Sequence, residues 1–246
     1  MRFATVAVLT ALLALAGCAT PAERSEKLRL AQINTQLGVN YAREGQYEVA
    51  IEKLQAAVKA QSSYGPAHSA LAVIYQTRGE MDAAEKEYRR ALSLDGSDST
   101  LKNNFGVFLC KRGKRDEAQR YFKQVVRDPR YLTPEEAWTN AGVCIKPKST
   151  DEAERDFRKA LQLRASYRPA LAQMALLSYE QQDFLRARAF LQRYDLSISA
   201  TPELLGVAAR TEFALGDKDG ARSYAQRIVR DFPESKEAEQ FADWQP

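Results

Sequence analysis

The chain has 246 residues, 45% of them hydrophobic and 28% charged, which is enough apolar material for a substantial core. Its formal net charge of +4 is a mild excess and does not argue for a nucleic-acid partner. It has one histidine, three cysteines and no Cys-x-x-Cys, so no metal-ligand set is expected, and no cofactor motif is present.

Arg2 opens the chain, and an apolar run from Phe3 to Ala16 follows, too short for a comfortable membrane span. The run ends in Leu15-Ala16-Gly17-Cys18, which resembles the lipobox of bacterial lipoproteins. That resemblance implies a signal peptide over 1–17, cleaved just before Cys18, and a Cys18 thiol that carries diacylglycerol. An ordinary secretory signal cut near Ala19 is the other reading. Several acyl chains anchor stably where one binds marginally. The residue after Cys18 is Ala19 and not Asp, which for a Gram-negative lipoprotein implies the outer membrane, facing the periplasm. Residues 18–30 are polar and charged and read as a lipidated N-terminus and tether.

From residue 31 a pattern repeats. Leu37-Gly38, Leu71-Ala72 and Phe105-Gly106 recur at 34-residue spacing, and Ala50, Ala84 and Ala118 follow at the same spacing. Small residues at these positions let two helix backbones approach, and large ones between them fill the remaining space. Period and pattern resemble the tetratricopeptide repeat (TPR). The implied fold is all-α, a right-handed superhelical stack of about six helix pairs with a C-terminal capping helix. The repeats fall at about 31–64, 65–98, 99–134, 135–167, 168–201 and 202–235, with the capping helix at 236–246 behind Ser235.

Gly45, Gly79 and Gly113 mark the turns inside the first three pairs. The third turn, Lys111-Arg112-Gly113-Lys114-Arg115, is the densest basic cluster and reads as a solvated turn or a contact to acidic headgroups. Thr133-Pro134-Glu135-Glu136 predicts a helix start with a capping hydroxyl. The next helix should stop early, because Pro147 cannot donate to its ladder. Cys110 and Cys144 lie near the ends of the first helices of repeats three and four, which should be neighbours. In an exported protein these two cysteines predict a disulfide; two buried free thiols are the alternative.

No nucleophile elbow, phosphate loop or His-Glu-x-x-His is present, and the single His68 falls at a core-facing repeat position. An enzyme is not expected, nor a small-molecule substrate. The first helices of such stacks line a concave face. Their fifth positions are Thr35, Ser69, Asn103, Thr139 and Ala172, and their ninth are Val39, Val73, Val107, Val143 and Leu176. This predicts an apolar ladder beside a row of small, mostly polar residues, suited to an extended segment or amphipathic helix of a partner.

The lipobox, the repeats and the pair Asn103-Asn104-Phe105-Gly106-Val107-Phe108-Leu109-Cys110 and Asn140-Ala141-Gly142-Val143-Cys144 together resemble the type IV pilus biogenesis/stability lipoproteins, the PilF/PilW family. The resemblance spans nearly the whole mature chain. It implies a pilotin that binds the pilus secretin and promotes its localisation and multimerisation at the outer membrane. An adaptor lipoprotein that recruits peptidoglycan hydrolases or proteases would share the lipid and the repeats.

Overall fold

The computed structural model describes residues 20–244. The signal segment and Cys18 lie outside the described residues. The described residues form thirteen α-helices and no strand. They divide into two compact units at Asp95/Gly96.

The first unit holds two helix pairs, α1 (Pro21–Arg43) with α2 (Tyr47–Ala60) and α3 (Gly65–Thr77) with α4 (Met81–Leu94). In the second unit α5 (Ser99–Lys111) pairs with α6 (Arg115–Val125), and α7 (Pro134–Ile145) with α8 (Thr150–Leu163). Next come α9 (Arg168–Glu180) with α10 (Phe184–Tyr194) and α11 (Pro202–Ala214) with α12 (Lys218–Asp231). A short α13 (Lys236–Phe241) ends it. The turns within pairs are short, so each pair is an antiparallel hairpin. Within each unit the first helix of a pair packs on its own partner, on the preceding second helix and on the preceding first helix. That is the all-α TPR stack the repeat pattern implies.

What fixes each hairpin is a small residue set against a large one. A Cβ on Gly38 would lie 2.6 Å from Leu54 Cγ, one on Gly106 2.7 Å from Phe122 Cε1, and one on Gly142 2.5 Å from Phe157 Cε1. Leu54, Phe122 and Phe157 are fully buried. Interiors packed this tightly do not absorb an extra methyl without moving something. The helices that carry these large residues are strongly amphipathic, with the buried stripe Ala50, Leu54, Ala57 in α2 repeated as Ala118, Phe122, Val125 in α6 and Ala153, Phe157, Ala160 in α8.

Turn chemistry follows the sequence at most positions. Gly45, Gly79, Gly113 and Gly216 all take φ between 75° and 86°, the left-handed region that glycine enters without steric cost. Gln182 occupies the same place in the fifth pair at φ 60°, where a side chain is disfavoured. In the fourth pair Lys146 ends α7, and Ser149 caps α8 by accepting from the Glu152 N–H at 3.3 Å.

Three sequence expectations need correction. The tether does not run to residue 30, because α1 begins at Pro21: the Thr20 hydroxyl accepts from the Glu23 N–H at 3.2 Å, and the Glu23 carboxylate accepts from the Thr20 N–H at 2.7 Å. This reciprocal capping box starts the helix well before the repeat does. Thr133 makes no side-chain cap to α7, since its hydroxyl donates instead to the Glu136 carboxylate at 3.3 Å. The last helix stops at Phe241 and does not continue to the end. Ser235 caps it, and Phe241 and Phe213 each meet Trp244 edge-on.

Because Phe157 and the Ala153 carbonyl crowd Gly142 from two sides, Gly142→Ala is expected to lower stability by about 1–3 kcal/mol. Urea unfolding of the two proteins checks this.

Candidate partner-binding surfaces

The two units carry the concave positions separately. In the first unit Thr35 is buried and its hydroxyl finds no hydrogen-bond partner, Val39 and Ser69 are half-buried, and Val73 is exposed. In the second, Asn103 and Thr139 are buried, Val107, Ala172 and Leu176 are half-buried, and Val143 is exposed. The Thr139 hydroxyl donates to the Glu135 carbonyl at 2.8 Å. The Asn103 amide donates to Glu136 at 3.2 Å, and its carbonyl accepts from Asn140 at 3.2 Å. The expected row of polar groups bonding a partner's backbone is therefore not available at Thr35, Asn103 and Thr139. In α1 the fifth position lies on the stripe Ala31, Thr35, Gly38 that faces the core. The valines are the part of the ladder that reaches solvent, chiefly Val73 and Val143.

A second surface was not anticipated. The third and seventh repeat positions are buried in every later pair: Ala67 and Leu71, Leu101 and Phe105, Ala137 and Ala141, Ala170 and Met174, Leu204 and Ala208. In α1 the same positions hold Ile33 and Leu37, which are 47% and 40% exposed, and Leu30 beside them is 45% exposed. Residues 30, 33 and 37 share one helix face. No helix pair precedes α1 among the described residues, so three aliphatic side chains stand open where a stack ordinarily continues. The sequence signal was available: aliphatic residues at interface positions of the first repeat.

Cys110 and Cys144 are joined in a disulfide between α5 and α7, with Cα atoms 5.6 Å apart. Cys144 is buried and Cys110 half-buried. His68 is also buried. Its Nδ1 lies 2.5 Å from Glu87 Oε2 and its Nε2 3.1 Å from the Ser62 carbonyl, so it ties α3 to α4 and to the α2–α3 connection. Beside the basic turn, Lys148 Nζ donates to Asp116 at 3.0 Å, and this pairing holds the Asp116 carboxyl below its ordinary range. Arg112 and Lys114 are engaged as well. No group of three or more His, Cys, Asp or Glu side chains among the described residues is placed to hold a metal.

A cleft of about 460 Å³ lies between α6, α7 and α8, lined by Phe122, Val126, Trp138 and Asp156 among others. Burial pushes the Asp156 carboxyl up to about 6, with Glu152 adding to the effect and Arg155 and Lys123 opposing it. No hydrogen bond compensates this carboxyl, so its charge is the least comfortable in the fourth repeat.

The stacked hairpins define a protein of the tetratricopeptide repeat class. Models described as tetratricopeptide repeat match residues 35–99, 100–128 and 208–235. The chain is 32% identical over 212 residues to "Type IV pilus assembly protein PilF" of Pseudomonas aeruginosa, covering 84% of this chain and 82% of that one. It superposes on the crystal structure of PilW, described as a widely conserved type IV pilus biogenesis factor, with a TM-score of 0.79 at 27% identity, over 87% of this chain and 99% of that one. On the solved structure of Pseudomonas aeruginosa PilF the TM-score is 0.77 at 29% identity, over 89% and 98% of the two chains. The chain belongs to the PilF/PilW family of type IV pilus biogenesis proteins. No helix among the described residues is long and apolar enough to cross a membrane.

Two predictions follow from these side chains. The disulfide closes a 34-residue separation, so Cys110→Ser with Cys144→Ser is expected to lower stability by about 3–4 kcal/mol in the chain-entropy account. Thermal unfolding with and without reductant checks it: reductant should shift the parent and leave the double variant unmoved. For Asp156 the folded-state value lies above the ordinary 3.8, so the ionised form is disfavoured by the fold. The cost is absent below about pH 4, grows as the pH rises, and is complete above about pH 6. Asp156→Asn should therefore stabilise at pH 7 by about 1 kcal/mol, allowing for the solvent that still reaches the carboxyl, and should do nothing below pH 4. Melting curves at the two pH values check the sign.

Proposed function

We propose that this protein is a lipid-anchored pilotin of the outer membrane, facing the periplasm, which binds the type IV pilus secretin and favours its multimerisation there. Its membership of a pilus-assembly family supports the system. The observation that carries the binding mode is the open face of α1, where Ile33 and Leu37 occupy positions that are buried in every later pair and Leu30 stands exposed beside them. A short amphipathic helix of the secretin would seat there as the missing neighbour, the helix-in-groove mode of recognition. The exposed Val73, in the same unit, offers a second apolar contact on the concave side.

The lipid at Cys18 supplies the address. Tethering the grip to a membrane raises the local concentration of secretin subunits at that surface, so oligomerisation is favoured there over the bulk periplasm. The capping box at Thr20 starts α1 at Pro21, three residues beyond Cys18 in the sequence, so the binding face is separated from the anchor by little chain.

The test is complementation of a deletion strain, with unboiled membrane fractions probed for secretin multimers. Ile33→Asp with Leu37→Asp is expected to abolish multimers while the purified variant keeps its helical circular dichroism. Cys18→Ala is expected to leave secretin binding intact but to misplace the rings. Normal outer-membrane multimers in the deletion strain itself would sink the pilotin reading in favour of an adaptor for envelope enzymes.

A further inference from the structure

In the second unit the short turns inside the helix pairs lie at one end of the hairpins, and the connections between pairs lie at the other. Each of the three successive connections presents one aliphatic side chain to solvent. Leu132, between α6 and α7, is 91% exposed. Leu163, at the end of α8, is 55% exposed, and Ile198, between α10 and α11, is 74% exposed.

These are not loose loops. Around Ile198 the Arg168 guanidinium donates to the Asp195 carbonyl at 3.2 Å and the Ser199 carbonyl at 2.8 Å, and Arg227 donates to the Leu196 carbonyl at 3.0 Å. Leu196 is buried by the same turn that leaves Ile198 outside. Before Leu132, Asp128 accepts from the Arg130 guanidinium at 3.1 Å, from the Ser99 hydroxyl at 2.7 Å and from the Arg130 backbone N–H at 3.0 Å, and these bonds hold its carboxyl far below the ordinary carboxylate range. Both aliphatics are thus held out on fixed backbone.

We infer that this edge of the second unit lies against a lipid surface, with Leu132, Leu163 and Ile198 inserted at the headgroup level. The inference deepens the lipid-anchored reading above by giving the orientation of the repeats on the membrane. Lipid is favoured over a protein partner by the arrangement. Each connection brings one aliphatic side chain, flanked in sequence by polar residues such as Thr133, Gln162, Arg164, Ser197 and Ser199. A headgroup region accepts isolated apolar side chains, and it pairs them with arginines whose stems follow them in. Arg127 is exposed with no side-chain partner, and Arg164, directly after Leu163, stays 60% exposed while it bonds the Glu135 carboxylate at 3.4 Å. Both suit anionic headgroups.

The experiment uses the full lipidated chain in vesicles of phosphatidylethanolamine and phosphatidylglycerol with brominated acyl chains. Leu132→Trp and Ile198→Trp report on this edge. Leu185→Trp, 68% exposed at the start of α10, reports on the opposite one. All three sites are exposed, so the fold tolerates the indole. Emission is read as the difference from the parent, in the fraction that floats with vesicles. The expected result is at least twofold stronger bromolipid quenching for Leu132→Trp and Ile198→Trp than for Leu185→Trp, with a blue shift. Flotation with equal quenching at all three sites, or stronger quenching at Leu185→Trp, overturns the orientation and leaves the anchor standing. A parent that does not float overturns both. A blue shift that appears without lipid and grows with protein concentration overturns the inference in favour of self-association.

Discussion

The close approach of two helices at one small residue is the constraint on which the rest depends. Where the first helix has glycine, the second brings Leu54, Phe122 or Phe157 into the space a Cβ would need. Volume is exchanged between helices at constant total, which is how dense interiors are kept. Repeat five uses the same exchange in milder form, with Ala175 in place of glycine and Leu191 at the matching place on the second helix, whereas repeat six sets Ala209 against Ala225. This contact sets how each hairpin closes, and closure decides which positions of the first helix face inward. The fate of the candidate binding residues is a consequence of it.

One such consequence is that binding capacity moves from the polar row to the edges. Thr139 and Asn103 spend their hydrogen bonds inside the second unit, and Thr35 is enclosed in the first. What remains open is apolar and peripheral: the uncovered face of α1, the valines of the ladder, and single aliphatics on the connections. In the reading proposed above, the stack recognises by shape and apolar contact along its ends and margins. The Asp156 cleft belongs to the other category. Its carboxyl is an unrelieved cost in the fold, set by desolvation, and nothing about it calls for a ligand.

Most of the fold was legible in the sequence because the repeat states the same constraint several times. A single Gly-Phe pair is ambiguous; Gly106 and Phe122, matched by Gly142 and Phe157 and by Gly38 and Leu54, is not. The cysteines were legible for the same reason, since the repeat makes α5 and α7 neighbours before any coordinate is known. The failures lie where one residue has two options. Thr133 has the type and place of a cap, yet its hydroxyl turns to the Glu136 carboxylate. Thr20 and Glu23 form the capping box that Thr-Pro-Ala-Glu spells out, and the charged composition of the segment hid it. Burial of the fifth-position residues was illegible because threonine and asparagine suit a solvated groove and a satisfied interior equally well. Only the partners Glu135, Glu136 and Asn140 decide between them. Gln182 at positive φ has no sequence signal at all.

The fourth repeat shows how a local defect is offset. Its first helix ends at Ile145, ahead of Pro147, and has no glycine turn to close on. At the tenth repeat position it carries Cys144, where the flanking repeats of the second unit carry the larger buried residues Phe108 and Leu177. A cysteine there buries less apolar surface than phenylalanine or leucine, a deficit on the order of 1 kcal/mol. The bond to Cys110 more than makes up that deficit by restricting the unfolded chain across the same junction. The gain exists only where thiols are oxidised. The stability of repeat four therefore depends on whether its surroundings keep this cysteine pair oxidised.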